Sequence, residues 1–114
     1  LQQTLETFPQ DHVGVCYDSS HANLTQAPLE ILDRYGRRVI ALHISDNKGK
    51  LDDHALPFEG NIDWCRFGET FRALDYPGAL LLEVEMRESA FKHPTAFLEE
   101  ARRRGERLIE LLRL

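Results

Sequence analysis

The sequence predicts an α/β fold in which parallel strands alternate with helices. Short apolar runs rich in branched residues, at residues 12–18, 38–45 and 79–86, are typical of buried strands. Segments with helical spacing separate these runs, and near-continuous apolar strands are characteristic of a parallel sheet that helices cover. With 114 residues, the chain has the length of one domain or of part of one.

The first two helices are predicted from spacing and from the residues that end them. Residues 1–8 have helical spacing, and Pro9 ends the segment because proline lacks the backbone N–H group that would continue a helix. Residues 27–36 form the next predicted helix, with Pro28 near its start and Gly36 closing it.

The second half of the chain holds two further predicted helices. Asp63 is an N-cap residue for a helix over residues 64–75. The Tyr-Pro-Gly sequence at 76–78 then ends the helical pattern. The last helix is predicted to begin near Pro94 and to run to residue 114. The order of elements is therefore that of successive βα units.

Composition narrows the classes of function. The net charge is −5 and the pI is near 5.5, so the chain has no electrostatic signature of general nucleic-acid binding. No apolar run is long enough to span a membrane and no signal peptide opens the chain, so a cytoplasmic protein without a membrane partner is expected. Cys16 and Cys65 are expected to be reduced, with Cys16 a buried strand residue.

Polar residues occur where the three predicted strands end. Asp18 closes the first strand, His43 lies near the end of the second and Glu83 lies late in the third. Because crossover connections between parallel strands are right-handed, the C-terminal ends of the strands meet at one edge. That edge carries the active site in barrels and in open α/β sheets, so the sequence predicts a site there.

Each motif taken alone also has an ordinary structural explanation. Asp18 and His21 could form an Asx turn with a surface histidine, and His43 could be a hydrogen-bonded core histidine. Asp52 and His54 could belong to a solvated charged loop. These explanations are weaker jointly, because all the residues are expected at the same edge.

Glu83 is the least ordinary of these residues. Leucines and a valine flank it, and a carboxylate in such a strand is rarely buried unless it is paired or bound to metal. Mixed imidazole and carboxylate ligands suit zinc, manganese, iron or cobalt more than calcium.

The combined motifs resemble a known family. They are D-x-x-H in VGVCYDSSHANL, then H-x-x-D-N, D-x-H and G-x-I-D-W in ALHISDNKGKLDDHALPFEGNIDW, and a strand glutamate in YPGALLLEVE. The sequence resembles the last three strands of the xylose-isomerase-like TIM barrels over about residues 13–112. That superfamily includes sugar and sugar-phosphate isomerases and epimerases, and AP endonuclease family 2 of the endonuclease IV type.

The resemblance implies that residues 1–114 are part of a larger barrel. A TIM (β/α)8 barrel has eight strands and about 250 residues. This chain would carry the C-terminal three βα units, strands six to eight with their helices, without a glutamate that the family places in strand five. An open strand edge and an uncovered sheet face would favour a homo-oligomer.

Residue by residue, the resemblance implies metal ligation by Asp18, His43 and Glu83. The cofactor would be a divalent ion of zinc, manganese, cobalt or magnesium. His21 matches a position that contacts substrate in the epimerase branch and metal in the nuclease branch.

The loop after the second strand supplies the other implied residues. Asp52 and His54 match a pair that binds an additional zinc ion in the nucleases. Lys48 lies where a cation could meet a sugar hydroxyl or phosphate, although a solvated loop lysine is the more ordinary explanation.

The function implied is that of a metal-dependent isomerase or epimerase acting on a small sugar or sugar phosphate. The metal would stabilise an enediolate, and Glu83 would be one of the acid–base groups. The alternatives are a zinc-dependent AP endonuclease with DNA as substrate, which the acidic composition disfavours, and an inactive structural fragment.

Overall fold

The computed structural model describes residues 1–25 and 27–112. The predicted helices over 1–8, 27–36 and 64–75 are confirmed with shorter bounds, and the Asp63 side chain caps its helix by accepting from the amide of Arg66. In chain order the elements are α1 Gln2–Thr7, β1 Val15–Asp18, α2 Ser19–Asn23, α3 Glu30–Tyr35, a 3₁₀ turn Gly36–Arg38, β2 Val39–His43, α4 Trp64–Arg72 and α5 Pro94–Leu112.

The two strands form a parallel pair, so the chain is mixed α/β as predicted. Asp18 lies opposite His43 in the register, at the C-terminal end of both strands. One face of the pair is buried beneath the helices through Val15, Tyr17 and Leu42. The core on this side is completed by helix residues, chiefly Leu32, Phe67, Phe71 and Leu108.

The third strand predicted over residues 79–86 is not confirmed. Ile44 makes two backbone hydrogen bonds to this segment, of 2.9 and 3.0 Å, and a single parallel bridge joins Ile44 to Leu82. The ladder stops there because Asp46 turns away to pair with Ala55 in the antiparallel sense. The described residues therefore hold a two-stranded sheet with a third segment running beside it.

Cys16 was expected to be buried, but it is exposed. The pleat of β1 directs Val15 and Tyr17 toward the helices, so Cys16 lies on the opposite face of the sheet. Ile40 and Leu81 are also uncovered, with 68% and 51% of their surface exposed. We call Cys16, Ile40 and Leu81 the open face.

The last helix, α5, packs against α4 and buries Phe97, Ala101 and Leu108. It begins at Pro94 as predicted and is described to Leu112, whereas residues 113–114 of the predicted helix lie outside the described residues. None of the helices in the described part of the chain combines the length and apolarity that a bilayer crossing requires.

Candidate functional site

Asp18, His43 and Glu83 come together at the C-terminal edge of the sheet, and we call them the strand-end group. One ligand atom from each lies within 4.8 Å of the other two. His43 Nδ1 is 3.0 Å from Glu83 Oε2 and 3.9 Å from Asp18 Oδ2. Asp18 is largely buried, whereas His43 and Glu83 are partly open to solvent. The strand register produces this convergence, because Asp18 and His43 end paired strands.

The donor set of the strand-end group fits a divalent metal ion. Two atoms bound to one ion at about 2.0–2.2 Å are at most about 4.4 Å apart. Both distances from His43 lie within that limit. One imidazole nitrogen with carboxylate oxygens suits zinc, manganese or cobalt better than calcium. Asp18, His43 and Glu83 are thus the residues that would hold an ion at this edge.

A second cluster, which we call the loop group, consists of His21, Asp52 and His54. Asp52 Oδ2 is 2.9 Å from His21 Nε2 and 3.1 Å from His54 Nε2. The other ring nitrogen of His21, Nδ1, is 3.4 Å from Asp18 Oδ2. The imidazole of His21 therefore connects the loop group to the strand-end group.

The hydrogen-bond partners of His54 determine which of its ring nitrogens carries a proton. Its Nδ1 lies 3.1 Å from the carbonyl oxygen of Glu83, which can only accept, so Nδ1 carries the proton. Nε2 then faces the carboxylate of Asp52, which is also an acceptor when ionised. Two facing acceptors require a cation between them, either a proton on His54 or a bound metal ion.

The pKa values of this pair reflect the same contact. Burial lowers the pKa of His54, but the Glu83 carbonyl and the carboxylates of Asp52, Glu83 and Glu85 outweigh it, so the pKa lies above its ordinary value. Burial raises the pKa of Asp52, but hydrogen bonding to Ser20 and the nearby imidazoles outweigh it, so the pKa lies below its ordinary value. The two shifts favour an ionised carboxylate beside a positive charge.

The backbone of His54 is held in an unusual conformation. Its φ angle is 45°, in the left-handed region that costs a non-glycine residue about 1–2 kcal/mol. The carbonyl of His54 accepts a hydrogen bond of 2.8 Å from the amide of Glu85, which fixes the loop against the segment after Glu83. Strained residues of this kind are concentrated at functional sites.

A fully buried carboxylate, that of Asp46, organises the loop that carries Asp52 and His54. Its Oδ2 accepts from the amide of Phe58 at 3.0 Å and from the indole Nε1 of Trp64 at 2.9 Å. Its Oδ1 accepts from the amides of residues 47 and 62 at 2.9 and 3.3 Å. Because its backbone also pairs with residue 55, Asp46 fixes the segment that directly follows the loop group.

Asn47 ties the same loop to α2. Its Nδ2 donates to the carbonyl and hydroxyl oxygens of Ser20 at 2.8 and 2.7 Å, and its Oδ1 accepts from Asn23 at 2.8 Å. Gly60 is required here, because a Cβ atom at that position would overlap the carbonyl of Asn47 and the carboxylate of Asp46. Asp46 and Asn47 belong to the H-x-x-D-N motif, but sequence reasoning assigned them no role, although the need of a buried Trp64 indole for an acceptor was a usable signal.

Lys48, the predicted substrate contact, is exposed in the loop that follows Asn47 and lies outside both groups. The structure therefore brings together six of the seven predicted site residues in two adjoining clusters. The carboxylates and imidazoles share one edge of the sheet, as the positions at strand ends predict.

In α/β barrels the active site lies at the C-terminal ends of the strands, which is the edge where these imidazoles and carboxylates lie. A family model described as the xylose isomerase-like TIM barrel matches residues 1–107. The chain belongs to the xylose isomerase-like TIM barrel family, as the motifs in its sequence predict.

Two curated relatives are uncharacterized proteins. One, from Sinorhizobium fredii, is 45% identical over 80 residues, covering 69% of this chain and 26% of the relative. The other, from Methanocaldococcus jannaschii, is 27% identical over 95 residues, covering 81% of this chain and 32% of the relative. The chain thus spans about a quarter to a third of the length of these relatives. No solved structure matches the chain.

Proposed function

We propose that this chain is part of a cytoplasmic, divalent-metal-dependent isomerase or epimerase that acts on a small sugar or sugar phosphate. The observation that carries the proposal is the strand-end group, in which ligand atoms from three separate segments lie within 4.8 Å of one another. Membership of the family supports the same class of chemistry, since sugar isomerases and epimerases share this type of barrel.

In this proposal Asp18 and His43 would hold the metal, and Glu83 would both bind it and move a proton. When bound, the ion supplies Lewis acidity that polarises the carbonyl of the substrate. Glu83 has two carboxylate oxygens, and its side chain is 44% exposed, so one oxygen can reach a proton next to that carbonyl.

The loop group and Lys48 bind the rest of the substrate in this proposal. His21 has a side chain that is 64% exposed and is oriented by Asp18 and Asp52, so the face of its ring can contact the substrate. Lys48 is exposed in the adjacent loop, where an ammonium group can meet a hydroxyl or phosphate oxygen.

One observation favours a second candidate, a zinc-dependent AP endonuclease. The loop group lies against the strand-end group through the ring of His21, so the two clusters could hold more than one ion. Paired metal ions stabilise both the attacking and the leaving oxygen in phosphodiester hydrolysis. The net charge of −5 counts against DNA as the substrate.

The two candidates predict different effects for the same pair of substitutions in a complete barrel that contains this chain. For an isomerase, Glu83→Gln should lower turnover on the order of 10²-fold or more, because it removes a proton-transfer group. His54→Ala should cost less, because His54 is peripheral to a single-metal site. For a nuclease, His54→Ala should abolish cleavage of DNA with an abasic site and lower the bound zinc count.

The deciding assay is deuterium incorporation from solvent into candidate ketoses, run beside cleavage of an abasic duplex. Glu88→Gln is the matched control, because Glu88 is an exposed glutamate of the same segment and belongs to neither group. Proton exchange that Glu83→Gln removes and Glu88→Gln preserves supports the isomerase. DNA cleavage that depends on His54, without exchange into any ketose tried, would overturn it.

A further inference from the structure

A cleft beside α5 is lined by three arginines and a phenylalanine. None of these residues takes part in the proposed metal chemistry. The cleft has a volume of about 190 Å³. Its lining consists of Phe58, Glu100, Arg103, Arg104 and Arg107. Positions 103, 104 and 107 fall on one face of the helix, since residues three and four apart are neighbours.

Glu100 fixes two of the three arginines. This glutamate is buried, and its carboxylate accepts from Arg104 Nε at 2.5 Å and from Arg103 Nε at 2.9 Å. Hydrogen bonds from Arg104 and Arg103 hold the pKa of Glu100 below its ordinary value. Arg104 also donates to the carbonyl of Pro57 and pairs with Glu59 at 3.2 Å. Arg104 is therefore anchored, whereas Nη1 of Arg103 is not used by Glu100.

Arg107 stands apart from this network. Its guanidinium carbon lies 4.0 Å from the centre of the Phe58 ring, in a cation–π stack. Within residues 1–25 and 27–112 it forms no ion pair and no hydrogen bond. Its five N–H donors therefore remain available in a plane that the ring has already fixed.

Phe58 is itself held in place by the loop. Its φ angle of 73° lies in the left-handed region, which a phenylalanine rarely adopts. Its amide donates to the buried carboxylate of Asp46 at 3.0 Å, which opposes relaxation of the backbone. The aromatic platform beneath Arg107 is thus fixed from the core of the loop.

The charges around the cleft do not cancel. Arg103, Arg104 and Arg107 carry three positive charges, and the nearby carboxylates Glu59 and Glu100 carry two negative ones. A stacked guanidinium with unused donors recognises oxyanions in a bidentate manner, and phosphate is the common example. We propose that this cleft binds a phosphate monoester through Arg107 and Arg103, independently of the strand-end group.

Isothermal titration of the chain with inorganic phosphate and with glucose 6-phosphate tests the proposal, in buffer free of divalent metal. Both should bind saturably, and glucose should not. Arg107→Gln should weaken binding about tenfold or more, as expected for the loss of charge-assisted hydrogen bonds. Arg102→Gln is the matched control, because Arg102 is an exposed arginine of the same helix that pairs with Glu106 and does not line the cleft.

Two further variants keep the test informative if Arg107→Gln disturbs the helix. Arg107→Lys retains the charge but loses the planar fork, and Phe58→Leu retains an apolar platform but loses the aromatic face, so both should also weaken binding. If Arg102→Gln and Arg107→Gln weakened phosphate binding equally, the effect would come from the total charge of the helix, and the proposed site would be wrong. So would binding of duplex DNA without binding of either phosphate. Glu83→Gln should leave phosphate binding unchanged, so failure here is distinct from failure of the proposed enzyme activity.

Discussion

At the scale of single residues, Asp46 illustrates how one buried carboxylate can determine a loop. Asp46→Asn is expected to destabilise the chain by about 2–3 kcal/mol, since the new amide group must face N–H donors in either orientation. Each oxygen of Asp46 accepts two hydrogen bonds, so at least two donors, one buried and one partly buried, lose their acceptor. Urea denaturation measures this change as a lower transition midpoint.

Asp63→Asn is the matched control for that prediction. It makes the same chemical change near the same loop, but Asp63 is an exposed N-cap of α4 that accepts from the amide of Arg66 at 3.0 Å. Asparagine caps helices about as well as aspartate, so the free energy of unfolding should hardly change. Equal destabilisation by the two substitutions would contradict the special role of Asp46.

The sequence predicts the strand-end group well and the supporting network poorly, for a physical reason. Asp18 and His43 end apolar runs, and strand ends in parallel sheets share one edge regardless of loop details. The contact between His21 and Asp52 spans 31 positions and depends on how the loop folds back. No local sequence pattern predicts how this loop folds back onto α2. The buried contacts of Asp46 depend on the same conformation of the loop.

At the scale of elements, Gly105 is a position in α5 where a substitution should increase stability. A glycine inside a helix costs about 1 kcal/mol relative to alanine. A Cβ atom at position 105 would lie 3.4 Å from Leu82 Cδ1, which is an ordinary van der Waals distance. Gly105→Ala should therefore raise the free energy of unfolding by about 0.5–1 kcal/mol, measured by urea denaturation.

Gly68 in α4 provides the contrast. A Cβ atom there would lie 3.1 Å from the carbonyl oxygen of Leu111, a backbone atom that cannot rotate away. Gly68→Ala should gain less than Gly105→Ala or lose stability, although the gain in helix propensity is the same. A larger gain at position 68 than at 105 would show that α4 and α5 pack differently from this description.

The elements also show where sequence patterns stop being informative. Helices are predicted because caps and breakers act locally, as Asp63 and Pro94 do. The apolar run at 79–86 has the composition of a strand but forms only one bridge, since a ladder needs a partner strand that continues alongside. Ile44, the residue after β2, is the last one that pairs with this run, because Asp46 pairs with Ala55 of the loop instead.

At the scale of the whole molecule, the sheet has one covered face and one uncovered face. The covered face contributes Val15, Tyr17 and Leu42 to the core, whereas the open face presents Cys16, Ile40 and Leu81. The radius of gyration is 14.5 Å, compared with about 13 Å for a compact domain of this length. Exposed apolar side chains on a sheet with unpaired edges favour association with another surface.

We therefore expect the isolated 114-residue chain to self-associate through the open face. Sedimentation velocity should detect a dimer or larger species whose population rises with concentration. Ile40→Gln should shift this equilibrium toward monomer, because it replaces an apolar side chain of β2 that is 68% exposed on the open face. Leu98→Gln is the control, since Leu98 is 65% exposed on α5 and should leave association unchanged. A cooperatively melting monomer at all concentrations, or an equal effect of the two substitutions, would mean that the open face is not the contact surface.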